Sequence, residues 1–160
     1  MQGSIFVLLG SNLGDRDRHL NYARQEISRL AGNIVTRSSI YKTAAWGKTD
    51  QPSFLNQAIL LETPLTARAL LQAVLAIEEK MGRKREEKYG PRIIDIDILF
   101  YDSAIISEPG LIIPHPEMQN RRFALEPMQE IAPRLKHPLL KKTISELLKE
   151  CPDKLEVHKL

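Results

Sequence analysis

The pattern of apolar and polar residues along the chain predicts four strands in its first two thirds. Residues 4–9 (SIFVLL) and 54–62 (FLNQAILLE) are short apolar runs that favour buried strands. Residues 34–42 contain the β-branched and aromatic side chains that strands prefer. Residues 92–102 (RIIDIDILFYD) predict a fourth strand, although two aspartates stand in its middle.

Apolar residues at helical spacing predict two amphipathic helices, one over residues 15–31 and one from Thr66 to Gly82. Thr66 is a suitable N-cap, and glycine commonly ends a helix. A shorter helix is expected over residues 123–131. The segment TISELL, which begins at Thr143, matches a capping box and predicts a terminal helix.

The order of these elements through residue 100 is βαββαβ, the split pattern of ferredoxin-like α+β folds. The predicted fold class is therefore α+β, a ferredoxin-like core with an extra C-terminal hairpin and helices. Loops are expected over residues 43–53 and 83–91, which are rich in turn-forming and charged residues. Pro114 and Pro116 exclude a regular helix or a central strand around them.

The two aspartates of the fourth strand, Asp95 and Asp97, raise a chemical question. Side chains alternate along a strand, so these carboxylates share one face while Ile94, Ile96 and Ile98 occupy the other. Their Cα atoms lie roughly 6.5–7 Å apart. Two carboxylates at that spacing repel each other unless water, arginine or a divalent cation lies beside them. A half-exposed strand with a wet face also explains the pattern, so its surroundings must decide.

Composition indicates a soluble globular protein of one domain, residues 1–160, with 42% hydrophobic and 27% charged residues. The net charge of +3 is too small to indicate nucleic acid as a partner. The one cysteine, Cys151, excludes an intrachain disulfide, and it has no neighbours that indicate a zinc site. No apolar run reaches membrane-spanning length, and residues 1–16 do not resemble a signal peptide. We therefore expect a cytoplasmic protein with no membrane partner.

Cationic side chains flank the aspartate strand. They are Arg83, Arg85 and Arg92 before it, and His115, Arg121 and Arg122 after it. Guanidinium groups bind phosphate oxygens in a bidentate way, and Mg²⁺ favours one or two carboxylates together with substrate phosphates. The cluster therefore indicates a site for a magnesium-bound polyphosphate. The chain has no GxxxxGK[ST] motif, which excludes a P-loop, and GSNLGD at residues 10–15 matches no dinucleotide fingerprint.

A second group of residues suits a flat ligand. Four aromatic residues fall in or beside the predicted loops: Trp46, Phe54, Tyr89 and Phe123. Thr43 and Asn56 are their polar neighbours, and the asparagine amide offers both a donor and an acceptor to the edge of a heterocycle. From the pattern alone, Phe54 and Phe123 are equally well explained as core residues.

Together these segments resemble the 6-hydroxymethyl-7,8-dihydropterin pyrophosphokinase family of folate biosynthesis. The matching pieces are LGSNLGD, SSIYKT, DQPSFLNQA, IEEKMGRKR, YGPRIIDIDILFY and IPHPEMQNRRFALEPMQEIAP, which span residues 9–133. The resemblance implies a ferredoxin-like fold. It also implies that the pterin hydroxymethyl oxygen attacks the β-phosphorus of ATP, so that pyrophosphate is transferred and AMP leaves, with two Mg²⁺ ions required.

The resemblance also implies roles for individual residues. Asp95 and Asp97 would hold the metal ions, Arg83 and Arg92 would be catalytic, and Asp97 is the best candidate to accept the hydroxyl proton. The implied contacts to ATP come from Glu78, Arg83, Arg85, Tyr89, Arg92, Ile98, His115 and Arg121. The implied pterin pocket consists of Gly10, Thr43, Ala45, Trp46, Phe54, Asn56, Asp95 and Phe123.

Two other functions are compatible with parts of the pattern. A different magnesium-dependent nucleotidyl- or phosphotransferase would use the same acids and would bind ATP without needing a pterin. An RNA-binding module of ferredoxin-like fold needs basic and aromatic residues on its sheet, which IFVLLG and FLNQAILLE do not supply. The resemblance favours ATP and the pterin as small-molecule partners, no nucleic acid, and a monomer.

Overall fold

The computed structural model describes residues 4–43, 53–82 and 93–160, and this part of the chain contains a mixed arrangement of eight strands and four α-helices. The strands are β1 (Ile5–Ser11), β2 (Asn33–Arg37), β3 (Tyr41–Thr43), β4 (Phe54–Glu62), β5 (Asp95–Tyr101), β6 (Ile106–Glu108), β7 (Leu111–Ile113) and β8 (Val157–Lys159). The helices are α1 (Arg16–Leu30), α2 (Ala67–Lys80), α3 (Arg122–Ile131) and α4 (Ile144–Glu150), with a 3₁₀ turn at Met118–Asn120.

The main sheet is antiparallel, and its strands lie in the order β5-β1-β4-β3-β8, with β2 also paired to β4. Strands β6 and β7 form a separate hairpin. The register across β5, β1 and β4 places Gly10 of β1 opposite Asn56 of β4 and opposite Asp95 of β5. On the other side of β4, Thr43 of β3 is opposite Phe54.

Each face of the sheet is covered by its own pair of helices, because successive side chains on a strand point to opposite faces. One face carries Ile5, Val7 and Leu9, and it packs against α1 and α2 in the larger core. The other carries Phe6 and Leu8 and packs against α3 and α4. The sheet therefore separates two hydrophobic cores. The first lies between the sheet and helices α1 and α2, and the second lies between the sheet and helices α3 and α4.

The helix N-termini follow the predicted capping chemistry. Thr66 accepts a hydrogen bond from Ala69 N at 3.1 Å, as the sequence predicts. The capping box at Thr143 is confirmed, since Thr143 Oγ1 accepts from Glu146 N at 3.2 Å and Glu146 Oε1 accepts from Thr143 N at 2.9 Å. Helix α1 begins after Asp15, whose side chain accepts from Arg18 N.

Several predicted elements are confirmed and some differ. The strand over 54–62 has the predicted bounds, and the strand over 92–102 is shorter, Asp95–Tyr101. The strand over 34–42 is divided into β2 and β3, because Ser38 leaves the strand geometry: its N–H donates to Ala58 O and its Oγ accepts from Ala58 N. The mixed α/β class with an antiparallel sheet is confirmed.

Two features near the C-terminus complete the fold. The predicted extra hairpin is β6/β7, which precedes α3, and β8 was not predicted from the sequence.

None of the helices in the described ranges has the length and apolar character needed to cross a membrane. The predicted loop over 83–91 and most of the one over 43–53 lie outside the described residues.

Candidate active site

The two aspartates of β5 lie on one face of the strand, as the alternation predicts. Ile94, Ile96 and Ile98 are at most 7% exposed and belong to the core with α1 and α2. Asp95 and Asp97 are half-buried on the opposite face. The two aspartates are therefore compatible with a strand, because the isoleucine face of β5 is packed in the core and the aspartate face is partly open to solvent.

A buried carboxylate holds the backbone between these aspartates. Glu78 of α2 is 4% exposed, and its Oε2 accepts a hydrogen bond from Ile96 N at 2.7 Å. Among the described residues β5 is at the edge of the sheet, and no described strand pairs with this amide on that side. Glu78 reaches it from the helix on the far side of the sheet from the aspartates, and so it fixes the strand that presents them.

Gly10 lies between Asn56 of β4 and Asp95 of β5, and we call the region around these three residues the recess. A Cβ atom at this position would lie 2.6 Å from Asn56 Oδ1 and 3.7 Å from Phe54 Cδ1. The asparagine amide and the aromatic ring therefore lie directly over the glycine, in space that a side chain would fill. The absence of a Cβ is what allows this close approach.

Asn56 is the polar centre of the recess. The residue is 3% exposed, and within the described part of the chain its buried Nδ2 has no hydrogen-bond partner. A buried amide donor without a partner costs about 1–3 kcal/mol of folding free energy, so a ligand that offers an acceptor here would be favoured. The donor and acceptor of this amide suit the edge of a planar nitrogen heterocycle.

Thr43 and Phe54 extend the recess along β3 and β4. Thr43 is buried, and its Oγ1 donates to Glu156 O at 3.0 Å, while Phe54 is half-buried. Phe123, at the start of α3, is half-buried and packs against the second core. The two phenylalanines are thus neither fully in the core nor fully in solvent, which leaves part of each ring available to a flat ligand.

His115 and Arg121 lie on the segment that follows β7. His115 N donates to Leu99 O at 3.0 Å, which fixes the histidine beside β5. Burial, and then the positive charge of Arg121, lower the pKa of His115 to about 4. The ring is therefore neutral at pH 7. Its Nδ1 accepts from Glu117 N at 3.2 Å, so the proton is on Nε2, which can donate to an anion.

Arg121 lies next to the aromatic wall. Its Cζ is 5.8 Å from the centroid of the Phe123 ring, a cation–π distance. The residue precedes the first turn of α3 in extended geometry and makes no side-chain cap for that helix. Its guanidinium group lies over the face of the Phe123 ring.

The structure brings part of the predicted site together. The register places Gly10, Asn56 and Asp95 side by side on β1, β4 and β5. Phe54 lies two residues before Asn56 on β4, and Thr43 is opposite Phe54 on the next strand, β3. Ile98 lies on the opposite face, in the core with α1 and α2. Six predicted residues lie outside the described residues: Ala45, Trp46, Arg83, Arg85, Tyr89 and Arg92.

The donor set fits a magnesium ion better than a zinc ion. Asp95 and Asp97 supply two carboxylates on one strand face. Among residues 4–43, 53–82 and 93–160, no three His, Cys, Asp or Glu side chains form a cluster that could hold a metal alone. Mg²⁺ is commonly held by one or two carboxylates plus water and substrate phosphates, whereas zinc sites need three or four protein ligands.

Sequence reasoning missed the residues that support this site from a distance. Tyr41, opposite Asn56 in the sheet, donates through its hydroxyl to Glu130 Oε1 at 2.7 Å. Glu156 accepts the Thr43 bond from a position 113 residues later. No local pattern indicates these partners, since each pairing depends on the tertiary fold.

Comparison with known proteins identifies close relatives. The family model described as 7,8-dihydro-6-hydroxymethylpterin-pyrophosphokinase (HPPK) matches residues 6–133. The chain is 45% identical over 131 residues to 2-amino-4-hydroxy-6-hydroxymethyldihydropteridine pyrophosphokinase from Methylorubrum extorquens, which covers 81% of this chain and 83% of that protein. A relative of the same name from Bacillus subtilis is 42% identical over 132 residues, 82% of this chain and 79% of that protein.

A solved structure of similar fold is the Plasmodium falciparum HPPK-DHPS triple mutant with SDX-DHP. The TM-score is 0.76 at 20% sequence identity. The match covers 94% of this chain but only 44% of the longer Plasmodium chain. At that identity the likeness concerns the fold alone.

Proposed function

Since this chain belongs to the 7,8-dihydro-6-hydroxymethylpterin-pyrophosphokinase family and is a pyrophosphokinase of folate biosynthesis, we propose which of its residues perform the transfer. ATP is the co-substrate that this activity requires. The recess around Gly10 and Asn56 binds the pterin, and Asp95 and Asp97 hold the magnesium ions of the bound nucleotide.

One observation carries this proposal: Asn56, Gly10 and Asp95 are neighbours on three strands that are adjacent in the sheet, β4, β1 and β5. Strands lie about 4.7–4.9 Å apart, so Asn56 and Asp95 are separated by roughly 10 Å across the glycine. The length of a bicyclic pterin with its hydroxymethyl arm is comparable with that distance. A pterin whose edge bonds to Asn56 therefore directs its hydroxyl group towards the aspartates.

Aromatic and polar side chains complete the proposed pterin pocket. Phe54 and Phe123 stack against the ring, and Thr43 lines the wall beyond Phe54. Ala45 and Trp46 contribute from the segment between β3 and β4. A ring bound between aromatic faces and tied at one edge has few orientations open to it, which is what a transfer reaction needs.

The nucleotide lies on the other side of the aspartates in this proposal. His115 donates a neutral Nε2–H bond to the triphosphate, and Arg121 supplies positive charge. The remaining ATP contacts come from Arg83, Arg85, Tyr89 and Arg92, and from the backbone of Ile98. Glu78 contributes indirectly, because it fixes the strand that carries Ile98. Arginine is suited to this task because its planar fork matches phosphate oxygens.

The reaction is an in-line displacement at phosphorus. The pterin hydroxymethyl oxygen forms a bond to the β-phosphorus of ATP while the bond from that phosphorus to the bridging α–β oxygen breaks, and AMP leaves. The chain aligns the two reactants, and Arg83 and Arg92 stabilise the charge that develops. Asp97 accepts the hydroxyl proton. Two Mg²⁺ ions, when bound, neutralise the phosphate charge and make the β-phosphorus a better electrophile.

The setting of the enzyme is proposed on the same basis. Residues 1–160 form one pyrophosphokinase domain that works as a monomer in the cytoplasm, with no nucleic acid or membrane partner. The strand order β5-β1-β4 with β2 and β3 beyond supports a ferredoxin-like arrangement, because a split βαβ pattern places its strands in this way.

The test is AMP formation from Mg-ATP with and without 6-hydroxymethyl-7,8-dihydropterin. We expect AMP only when the pterin is present. Asp95→Ala and Asp97→Ala should each lower the rate at least about a hundredfold, because several kcal/mol of charge stabilisation are lost. Asp17→Ala is the matched control, since Asp17 is an exposed aspartate on α1, across the sheet from the site.

Two results would contradict the proposal. AMP or ADP formed at the same rate without the pterin would favour a different magnesium-dependent transferase. Equal rates for the wild type and both β5 variants would remove the aspartates from the reaction, whatever the substrate.

A further inference from the structure

The last ten residues contact both sides of the proposed pterin pocket, although they lie beyond the residues 6–133 that match the family model. We define the C-terminal tail as residues 151–160. Cys151 and Asp153 in this tail are 1% and 6% exposed, so the chain here is packed into the molecule. Strand β8 then joins the edge of the main sheet.

Asp153 binds the first turn of α3. Its Oδ2 accepts from Arg122 N at 3.0 Å, and its Oδ1 accepts from Leu155 N at 3.0 Å. The backbone carbonyl of Asp153 also accepts from Arg122 Nε at 3.1 Å. The first amides of a helix have no partner within the helix, and a carboxylate is favoured at this positive end. The tail therefore supplies the cap that α3 lacks in its own sequence.

The two arginines at the start of α3 have different contacts. Arg122 is occupied by Asp153 and, at 3.2 Å, by Glu126. Arg121, the N-cap residue, makes no side-chain cap and instead lies 5.8 Å from the Phe123 ring. Residues 121 and 123 flank the amide that Asp153 holds, so one carboxylate fixes the backbone between a phosphate-binding residue and a pterin-stacking residue.

The same tail also holds the opposite wall of the recess. Val157 of β8 pairs with Thr43 of β3, and Thr43 Oγ1 donates to Glu156 O. Thr43 is in turn opposite Phe54. The Thr43–Phe54 wall and the Arg121–Phe123 wall are therefore tied to one another through residues 153–157.

We propose that Asp153 is a positioning residue for the pyrophosphokinase reaction: by capping α3 it sets the distance of Arg121 and Phe123 from the sheet. This inference rests on the proposed function, because it assumes that these two residues contact ATP and the pterin. Misplacement of substrate-binding groups by about 1 Å can cost a hundredfold in rate, so a cap outside the pocket can control turnover.

The decisive comparison is between Asp153→Ala and Thr143→Ala. Each removes one helix cap from the C-terminal region, but the Thr143 cap holds α4, which presents no site residue. If Asp153 positions the site, Asp153→Ala should raise the KM for the pterin and for ATP about tenfold each. Thr143→Ala should leave both KM values within about twofold while lowering the melting temperature comparably.

A conservative variant and a measurement independent of turnover complete the test. Asp153→Asn keeps one acceptor oxygen and should give KM values between those of the wild type and Asp153→Ala. Amide hydrogen exchange at Arg122 and Phe123 should be faster in Asp153→Ala and unchanged in Thr143→Ala. If Asp153→Ala does not fold, the same comparison is made with Asp153→Asn.

The outcomes separate the two proposals. Unchanged KM values in both Asp153 variants, or equal KM changes in the Asp153 and Thr143 variants, would overturn the positioning role. A wild type that makes no pterin-dependent AMP would instead overturn the proposed function. In that case we would measure the affinity of Asp153→Ala for an ATP analogue that carries an α,β-methylene group. If its amide exchange is faster than in the wild type but this affinity is unchanged, Asp153 is only a structural cap.

Discussion

At Gly10 a single added methyl group would displace the Asn56 amide. The Cβ of an alanine would lie 2.6 Å from Asn56 Oδ1, so the amide must move away from its present position. We expect Gly10→Ala to raise the KM for the pterin at least about tenfold, since the hydrogen bonds of one amide edge are worth about 1–3 kcal/mol. Steady-state kinetics with each substrate varied in turn will measure this.

The other substrate serves as the internal control for that variant. The KM for ATP should change by less than about twofold, because the added methyl group meets Asn56 and Phe54 first, although Asp95 is the neighbour of Gly10 on β5. An unchanged pterin KM would show that the Asn56 amide does not bind the pterin. Equal changes for both substrates would indicate a general distortion of β1.

Residues of this kind were only partly predictable from the sequence. The alternation in RIIDIDILFYD correctly predicted the shared face of Asp95 and Asp97, because the period of a strand is local. The adjacency of Gly10, Asn56 and Asp95 depends on strand register, which no single segment contains. A one-residue shift of β4 would place Asn56 on the other face.

At the scale of elements, the Glu78 side chain of α2 is bonded to the edge strand β5. Glu78→Ala removes the acceptor of the Ile96 amide and should lower the free energy of unfolding by about 1–3 kcal/mol. Glu78→Gln keeps an acceptor oxygen and should cost less. Urea unfolding followed by circular dichroism will measure both.

The neighbouring residue provides the control for this prediction. Glu79 is exposed on the same turn of α2, and Glu79→Ala should change the free energy of unfolding by less than about 0.5 kcal/mol. Equal losses for Glu78→Ala and Glu79→Ala would mean that the bond to β5 does not stabilise the fold.

The elements themselves were predictable in proportion to their local signals. The helix from Thr66 and the capping box at Thr143 were found because their caps lie three residues from their partners. The break at Ser38 and the strand β8 were not found. Ser38 bonds to Ala58 across the sheet, and β8 is a three-residue strand whose partner in the described ranges is β3.

At the scale of the whole molecule, the buried His137 and the half-buried His115 make stability depend on pH. Burial lowers the pKa of His137, and burial followed by the charge of Arg121 lowers that of His115 from 6.5 to about 4. In the unfolded chain both rings take up protons near pH 6.5, whereas in the folded protein they resist protonation. The unfolded state therefore binds more protons in this window, and stability rises with pH.

We expect the free energy of unfolding to fall as the pH is lowered from 6.5 towards about 4. His115→Gln should reduce this dependence, since glutamine does not titrate. Urea unfolding at a series of pH values will test it. A wild-type stability that is constant across this window, or an unchanged slope in His115→Gln, would contradict the assignment of His115 as a neutral ring.

The burial of Cys151 has a practical consequence for studying this enzyme. The thiol is the only one in the chain and is 1% exposed, two residues before Asp153. A thiol-specific reagent can reach it only when the surrounding packing opens, so the rate of its modification records those openings in the unaltered protein. Slower modification in the presence of both substrates would show that an occupied site holds the end of the chain in place.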